Sequence, residues 1–143
     1  FPRYYSICSS QLKNHYTMEI EYSLETKECK DKKLFKGLAT SYMSNLNKND
    51  FITLSRPKNI EMIDETTKDI FLIGLGSGLG VIRGILENRY IKKMSNLKIG
   101  KATLFVGVRH KSDFIYEEEL RFYEKQGIVD IIEAYSMENG NKT

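Results

Sequence analysis

Two cysteines and two histidines are all that 143 residues offer to a soft metal, and none of the four lies near another. Cys8, Cys29, His15 and His110 fit no metal-ligand spacing, so no metal site is assigned. The two thiols leave a choice between a disulfide and idle thiols in a reducing compartment. No apolar run approaches the ~20 residues that span a bilayer, and no secretory signal is present. There is no long block of like charge, and the net charge is only +3. That excludes a dedicated nucleic-acid surface, and the 41% hydrophobic content argues against disorder. The length allows one modest core or two small ones. The initiator methionine is missing too, so a piece of a longer protein is expected.

Glycine, by contrast, is concentrated. Five of the ten glycines fall between Gly74 and Gly84. The cluster lies between an apolar run, Asp69 to Ile73, and a segment with helical spacing, Val81 to Met94. Strand, glycine-rich turn and helix is an arrangement that presents backbone N–H groups and a helix N-terminus to a phosphate. A flexible turn or a close helix–sheet packing point would look the same. The strict G-x-G-x-x-G spacing of the common dinucleotide fingerprint is absent. Counted from Gly74, the third glycine position holds Leu79; counted from Gly76, it holds Val81.

The first part of the chain reads as β. Arg3 to Ser9 is a short strand pattern. His15 to Tyr22 alternates, with Tyr16, Met18, Ile20 and Tyr22 on one face, and predicts a half-buried antiparallel strand. Lys27 to Lys33 is charged and predicts a loop. Leu38, Tyr42 and Leu46 predict a short helix beginning near Gly37, and Phe51 to Leu54 predicts a strand closed by Pro57. From Asp69 the rhythm changes to strand, helix, strand (Thr103–Val108), helix (Tyr116–Gln126) and strand (Ile128–Tyr135). That alternation predicts a parallel α/β sheet with ligands at the strand C-termini, and the near-continuous apolar character of Thr103–Val108 predicts cover on both faces. The boundary between the two parts is expected near Glu61–Lys68.

Candidate ligand groups then fall into an order. After the second parallel strand come Arg109, His110 and Lys111, where an NAD-selective site usually has an acid. Such cations suit a ligand with an extra phosphate; an ordinary solvated loop is the alternative. The third strand ends in Tyr135-Ser136, followed by Lys142. At the start of the chain, Arg3 and Tyr5 share a face if that segment is extended. A guanidinium can grip a pyrophosphate while an aromatic ring stacks on a flat cofactor. Gly37 to Ser41 offers a second anion cradle or a plain helix cap.

In order and spacing these segments resemble the diflavin reductases of the NADPH–cytochrome P-450 reductase type, over nearly the whole chain. Arg3-Tyr4-Tyr5-Ser6 resembles the family's R-x-Y-S flavin motif, and Gly37-Leu38-Ala39-Thr40-Ser41 its G-x-A-T-S motif. Gly74 to Gly78 resembles the nicotinamide-side G-x-G-[TS]-G loop. Leu104 to Gly107 with Arg109, then Tyr116 to Leu120, resembles the approach to the 2′-phosphate pocket. The resemblance implies an α/β plus β, ferredoxin–NADP reductase-like architecture. Residues 1–64 would be the C-terminal part of an antiparallel FAD-binding β-barrel, and residues 65–143 the first part of an NADPH-binding α/β domain.

It also implies site roles. Arg3, Tyr4, Tyr5, Ser6, Tyr22, Gly37, Leu38, Ala39 and Thr40 would hold FAD, with Ser6 the catalytic residue beside flavin N5. Gly76, Ser77, Gly78, Arg109, Ser136 and Lys142 would hold NADP, and the isoalloxazine against Tyr5 would face a nicotinamide entering over Ser77. FMN would sit in a domain outside this chain and pass electrons to a haem protein. The implied location is cytoplasmic, or the cytoplasmic face of the endoplasmic reticulum if an anchor precedes the chain. A single-flavin ferredoxin–NADP reductase relative and a redox-inactive nucleotide-binding module are the alternatives. On its own the chain is expected to show weak or no activity and to retain no FAD. The pattern is not followed everywhere. Leu75, Gly80 and Val81 stand where the family has proline, alanine and proline, and Met137 stands where an arginine would grip the 2′-phosphate.

Overall fold

A computed structural model describes residues 3–24, 26–28, 34–55 and 66–137. Cys29, Pro57 and Lys142 lie outside the described residues, as does the stretch 61–65 of the expected boundary. The chain forms two compact units, residues 1–4 with 22–64, and residues 5–21 with 65–143.

In the first unit, β1 (Thr26–Glu28) pairs antiparallel with β2 (Leu34–Lys36), in a register that sets Thr26 opposite Lys36. β1 falls where the charge pattern predicts only loop. The helix α1 (Leu38–Ser44) follows directly and starts at Gly37, as the four-residue spacing predicts. Phe51–Leu54, predicted as a strand, is neither helix nor strand and is exposed. A run of apolar residues specifies a strand only if a partner strand accepts its backbone bonds, and the described residues offer it none. No barrel is formed by the described residues of this unit.

The second unit is built on three parallel strands, β3 (Ile70–Leu75), β4 (Ala102–Val108) and β5 (Asp130–Tyr135), in the order β3-β4-β5. The register aligns Leu75 with Gly107, and Gly107 with Ala134. Helix α2 (Gly78–Met94) connects β3 to β4, and α3 (Glu117–Lys125) connects β4 to β5. Both crossovers step the same way across the sheet, so right-handed connections put both helices on one face. Leu79, Ile82 and Leu86 of α2 and Leu120 and Tyr123 of α3 form one core with Leu104 and Val106 of β4. Tyr116, in left-handed geometry, and Gly127 at φ +64° bracket α3, whose first turn carries Glu117, Glu118 and Glu119 against the helix dipole.

The opposite sheet face is open. Phe71 is 79% exposed, Ile73 75% and Leu75 66%, with Phe105 and Ile132 beside them. The apolar run of β4 therefore does not mean cover on both faces here: Leu104 and Val106 point into the core while Phe105 points out.

Residues 5–21 lie against α2. The predicted strands Arg3–Ser9 and His15–Tyr22 reduce to one antiparallel bridge, Ile7 with Ile20, and a bond from Cys8 N–H to Glu19 O at 2.8 Å. Tyr16 is 98% exposed. Alternation chooses which side chains share a face, but it cannot supply the surface that would cover them. None of the described helices is long and apolar enough to cross a membrane.

Candidate functional site

The three parallel strands end at one level, and a cleft of about 610 Å³ opens there. Leu75 and Gly76 line it after β3, Gly107 to Arg109 and Asp113 after β4, and Ala134 to Ser136 after β5. Backbone bonds continue past the strand ends. Ser136 N–H donates to Val108 O and Met137 N–H to Arg109 O, each at 3.0 Å, which fixes Ser136 beside Arg109. The loop after Arg109 is closed by a 3₁₀ turn, Lys111–Asp113, in which Asp113 accepts from His110 N–H at 3.2 Å and returns its own N–H to His110 O at 2.9 Å. Among the described residues the cleft thus carries one cation, Arg109, and one carboxylate already engaged by a backbone amide.

Gly76 enters α2 at φ +50°, a conformation that a side chain strains. A Cβ on Gly74 would meet Leu79 and Ile82, so strand and helix approach closely at this turn. The Leu79 and Gly80 amides turn back onto Gly76 O and Ser77 O at 3.1 Å. Ser77, the N-cap, makes no side-chain cap bond, and Gly76, Ser77 and Gly78 are exposed. With the Leu79 and Gly80 amides taken up in this way, the amides of Ser77 and Gly78 at the exposed turn are the ones placed to meet an anion. The donor set, one strong cation with a hydroxyl and an open helix start, fits a phosphorylated nucleotide.

In the first unit, α1 begins at Gly37 with no side-chain cap; Thr40 Oγ1 donates to Gly37 O at 3.2 Å. Ser41 Oγ is buried and has no hydrogen-bond partner among the described residues. A hydroxyl orphaned one turn inside an uncapped helix suits a further phosphate acceptor, so Gly37, Leu38, Ala39 and Thr40 fit a diphosphate. Arg3 and Tyr4 of this unit are exposed and Tyr22 is half-buried; in the second unit Tyr5 is half-buried and Ser6 exposed.

A charged cluster also lies where residues 5–21 cover α2. Arg83 is buried, donates to Cys8 O at 3.1 Å, to Glu119 at 2.7 Å and to Glu19, and lies over the Tyr116 ring at 5.2 Å. Burial pulls its pKa down, but bonds to Glu119 and Glu19 outweigh that and raise it. One turn on, buried Glu87 accepts from Ser10 N–H and from Lys13 Nζ, each at 2.7 Å. Gly80 and Gly84 make room: a Cβ on Gly84 would lie 3.0–3.2 Å from the Cys8–Ser9 backbone. Glycine at position 80, where the resembling family has alanine, keeps that face of α2 clear of Cys8 and Glu21.

Of the residues assigned from sequence to NADP, the structure brings Gly76, Arg109 and Ser136 into one cleft, with Ser77 and Gly78 on the adjoining turn. Lys142 lies outside the described residues. Sequence reasoning named the strand end at Tyr135 but missed Asp113 as a lining group, although the three-residue spacing of His110 and Asp113 carried a signal. It also missed Arg83 and Glu87, because charges at helical spacing read as a solvated face, and Glu19, because it falls on the polar face of the alternating run His15–Tyr22.

No family model matches the chain. The chain is 30% identical over 145 residues to the bifunctional cytochrome P-450/NADPH–P-450 reductase of Bacillus cereus, covering 98% of the chain and 14% of that relative. It is 31% identical to the NADPH–cytochrome P-450 reductase of Musca domestica and 28% identical to that of Drosophila melanogaster, in each case over 99% of the chain and 22% of the relative. The chain therefore spans less than a quarter of the length of these relatives.

Proposed function

Because the chain is a homologue of one segment of the NADPH–cytochrome P-450 reductases, we propose that it is the part of an NADPH-dependent flavoprotein reductase in which the FAD-binding region meets the NADPH-binding region in sequence. Residues 1–64 would belong to the antiparallel FAD barrel and residues 65–143 to the NADPH domain. FAD, when bound, would take up two electrons from NADPH and release them singly, by way of FMN held elsewhere in the protein, to a haem protein. The chain's own residues supply binding, orientation and charge.

The observation that carries this reading is the cleft at the strand C-termini, where Gly76, Arg109 and Ser136, each assigned to the nucleotide from a separate sequence motif, line one cavity. In it Arg109 and Ser136 would hold the 2′-phosphate, while the amides of Gly76 to Gly78 would hold the diphosphate; Lys142, assigned to the same phosphate from sequence, lies outside the described residues. By the resemblance, Gly37 to Thr40, Arg3, Tyr4 and Tyr22 are the FAD-binding residues of the first unit, and Tyr5 and Ser6 are the flavin-side residues of the second, Tyr5 suited to stacking on an aromatic ring and Ser6 to a hydrogen bond with its nitrogen. With Met137 in place of an arginine, most of the preference for NADPH over NADH falls on Arg109. A charge-assisted bond of this kind contributes about 1.5–3 kcal/mol.

The test is the full-length protein, assayed for bound flavin and for NADPH-dependent cytochrome c reduction. Flavin absorbance with reduction is expected, and Arg109→Ala should raise KM for NADPH about tenfold or more with little effect on NADH. Absence of flavin and of reduction overturns the reading.

A further inference from the structure

Ser10 sits at Glu87 and Asn88 on α2: its amide reaches Glu87 at 2.7 Å and its hydroxyl Asn88 at 3.0 Å. Two residues earlier, Cys8 lies against Gly84 and Gly80, and its carbonyl accepts from Arg83. From Ser10 back to Cys8, then, the segment runs toward the N-terminal end of the helix. Extended chain advances about 3.3 Å per residue and a helix about 1.5 Å, so two more residues bring Ser6 up by roughly four helical positions. That direction leads toward the glycine turn at Ser77 and Gly78, where α2 begins. Arg83 anchors the segment at Cys8. It grips the segment twice, at Cys8 O and at Glu19, the residue whose own carbonyl bonds Cys8 N–H, and it grips α3 through Glu119. One guanidinium on α2 therefore ties the helix to Cys8, to Glu19 and to α3, close in sequence to both the Tyr5–Ser6 motif and the glycine turn.

We propose that Arg83 is a positioning residue that fixes the spacing between Ser6 and the Ser77 turn. The inference rests on the reading of these as the flavin side and the nicotinamide side of one reaction. Arg83 touches neither ligand; it acts through Cys8 and Glu19. Its planar fork suits this task, because a lysine keeps the charge but cannot serve Cys8 O, Glu19 and Glu119 together.

Arg83→Ala leaves Glu19 and Glu119 facing each other with the Cys8 carbonyl unpaired, and loss of folding would blur its meaning. The informative variants are Arg83→Lys and Glu19→Gln, with Lys125→Gln, exposed and outside the cluster, as the control. In the full-length protein two readouts are taken. Spin labels at Ser6→Cys and Ser77→Cys report the separation of the two motifs without any turnover. In otherwise unlabelled protein, rapid mixing reports flavin reduction by NADPH, alongside flavin content and NADP affinity. Both variants should widen the distance distribution and slow flavin reduction about tenfold to a hundredfold, as expected for a reacting pair displaced by ~1 Å. Flavin content and NADP affinity should stay unchanged, which a general loss of structure would not allow. Folded variants with the wild-type distance distribution, or with the wild-type rate, overturn the proposal. A narrow, Arg83-dependent distance in a protein whose flavin NADPH never reduces supports the positioning role and removes the reductase reading instead.

Discussion

Glu87 is a carboxylate with almost no access to water, held by one backbone amide and one ammonium. A buried charge is tolerated only when its acceptor sites are filled, and removing the carboxylate would leave the Ser10 N–H unsatisfied in a covered position. Glu87→Ala should therefore destabilise the second unit by about 2–3 kcal/mol, read as a lower urea midpoint, whereas Glu87→Gln keeps an acceptor and should lose about half of that. Equal losses would mean that the amide bond is unimportant. Cys8 gives a pH-dependent counterpart. Burial pushes its thiol up from the ordinary 9.0, the Arg83 guanidinium pulls part of the way back, and the Glu19 carboxylate pushes up again. A raised folded value favours the neutral thiol. Its contribution to stability is complete below pH 9.0 and lost as the pH climbs through the folded value. In a Cys29→Ser variant at pH 8, alkylation of Cys8 should be slow and should accelerate only as urea opens the fold; reaction at the rate of a free thiol peptide would contradict its burial.

At the scale of elements, α2 is a helix covered on two sides. Its Leu79, Ile82 and Leu86 face the sheet, while Gly80, Arg83, Gly84 and Glu87 face residues 5–21. This explains why the helix was legible from Val81 to Met94 but its second contact was not: glycines and charges at helical spacing carry no apolar signal, yet here they mark a close approach. The β1 pairing and the single bridge at Ile7 were illegible for a different reason. The β1–β2 hairpin is local, but its first strand lies in a charged stretch with no apolar alternation, and at Ile7 alternation says nothing about how much of a partner strand is present. The glycine contacts give a sharp test. Alanine raises helix propensity by about 1 kcal/mol over glycine, so on an uncovered face both Gly80→Ala and Gly84→Ala would stabilise. At Gly84 the new methyl meets Cys8 and Ser9 backbone, which cannot step aside; at Gly80 its nearest contact is the flexible end of Glu21. Gly84→Ala should lower the thermal midpoint and reverse the propensity gain by about 1–3 kcal/mol, with Gly80→Ala milder. The opposite order would place residues 5–21 elsewhere.

At the scale of the molecule, the α/β part was readable because its signals are local: a strand-length apolar run, a glycine turn, a helix period, repeated. That Gly76, Arg109 and Ser136 line one cleft was readable because strand C-termini converge in any parallel sheet, whatever fills the loops. What the pattern could not convey is how many layers the sheet has. A near-continuous apolar strand implies cover on both faces, yet the β3-β4-β5 order puts α2 and α3 on the same side and leaves Phe71, Ile73, Leu75, Phe105 and Ile132 facing outward. Exposed apolar surfaces of more than a few hundred Å² are rare on soluble monomers and promote association. The 143-residue chain purified alone should therefore associate as its concentration rises, measured by sedimentation velocity. Phe71→Thr with Ile73→Thr should reduce that association while preserving the far-ultraviolet circular dichroism, since threonine keeps strand propensity and neither side chain contributes to the buried core. Association that is indifferent to the double substitution would mean that some other surface is responsible, and that the open face is wetted without consequence.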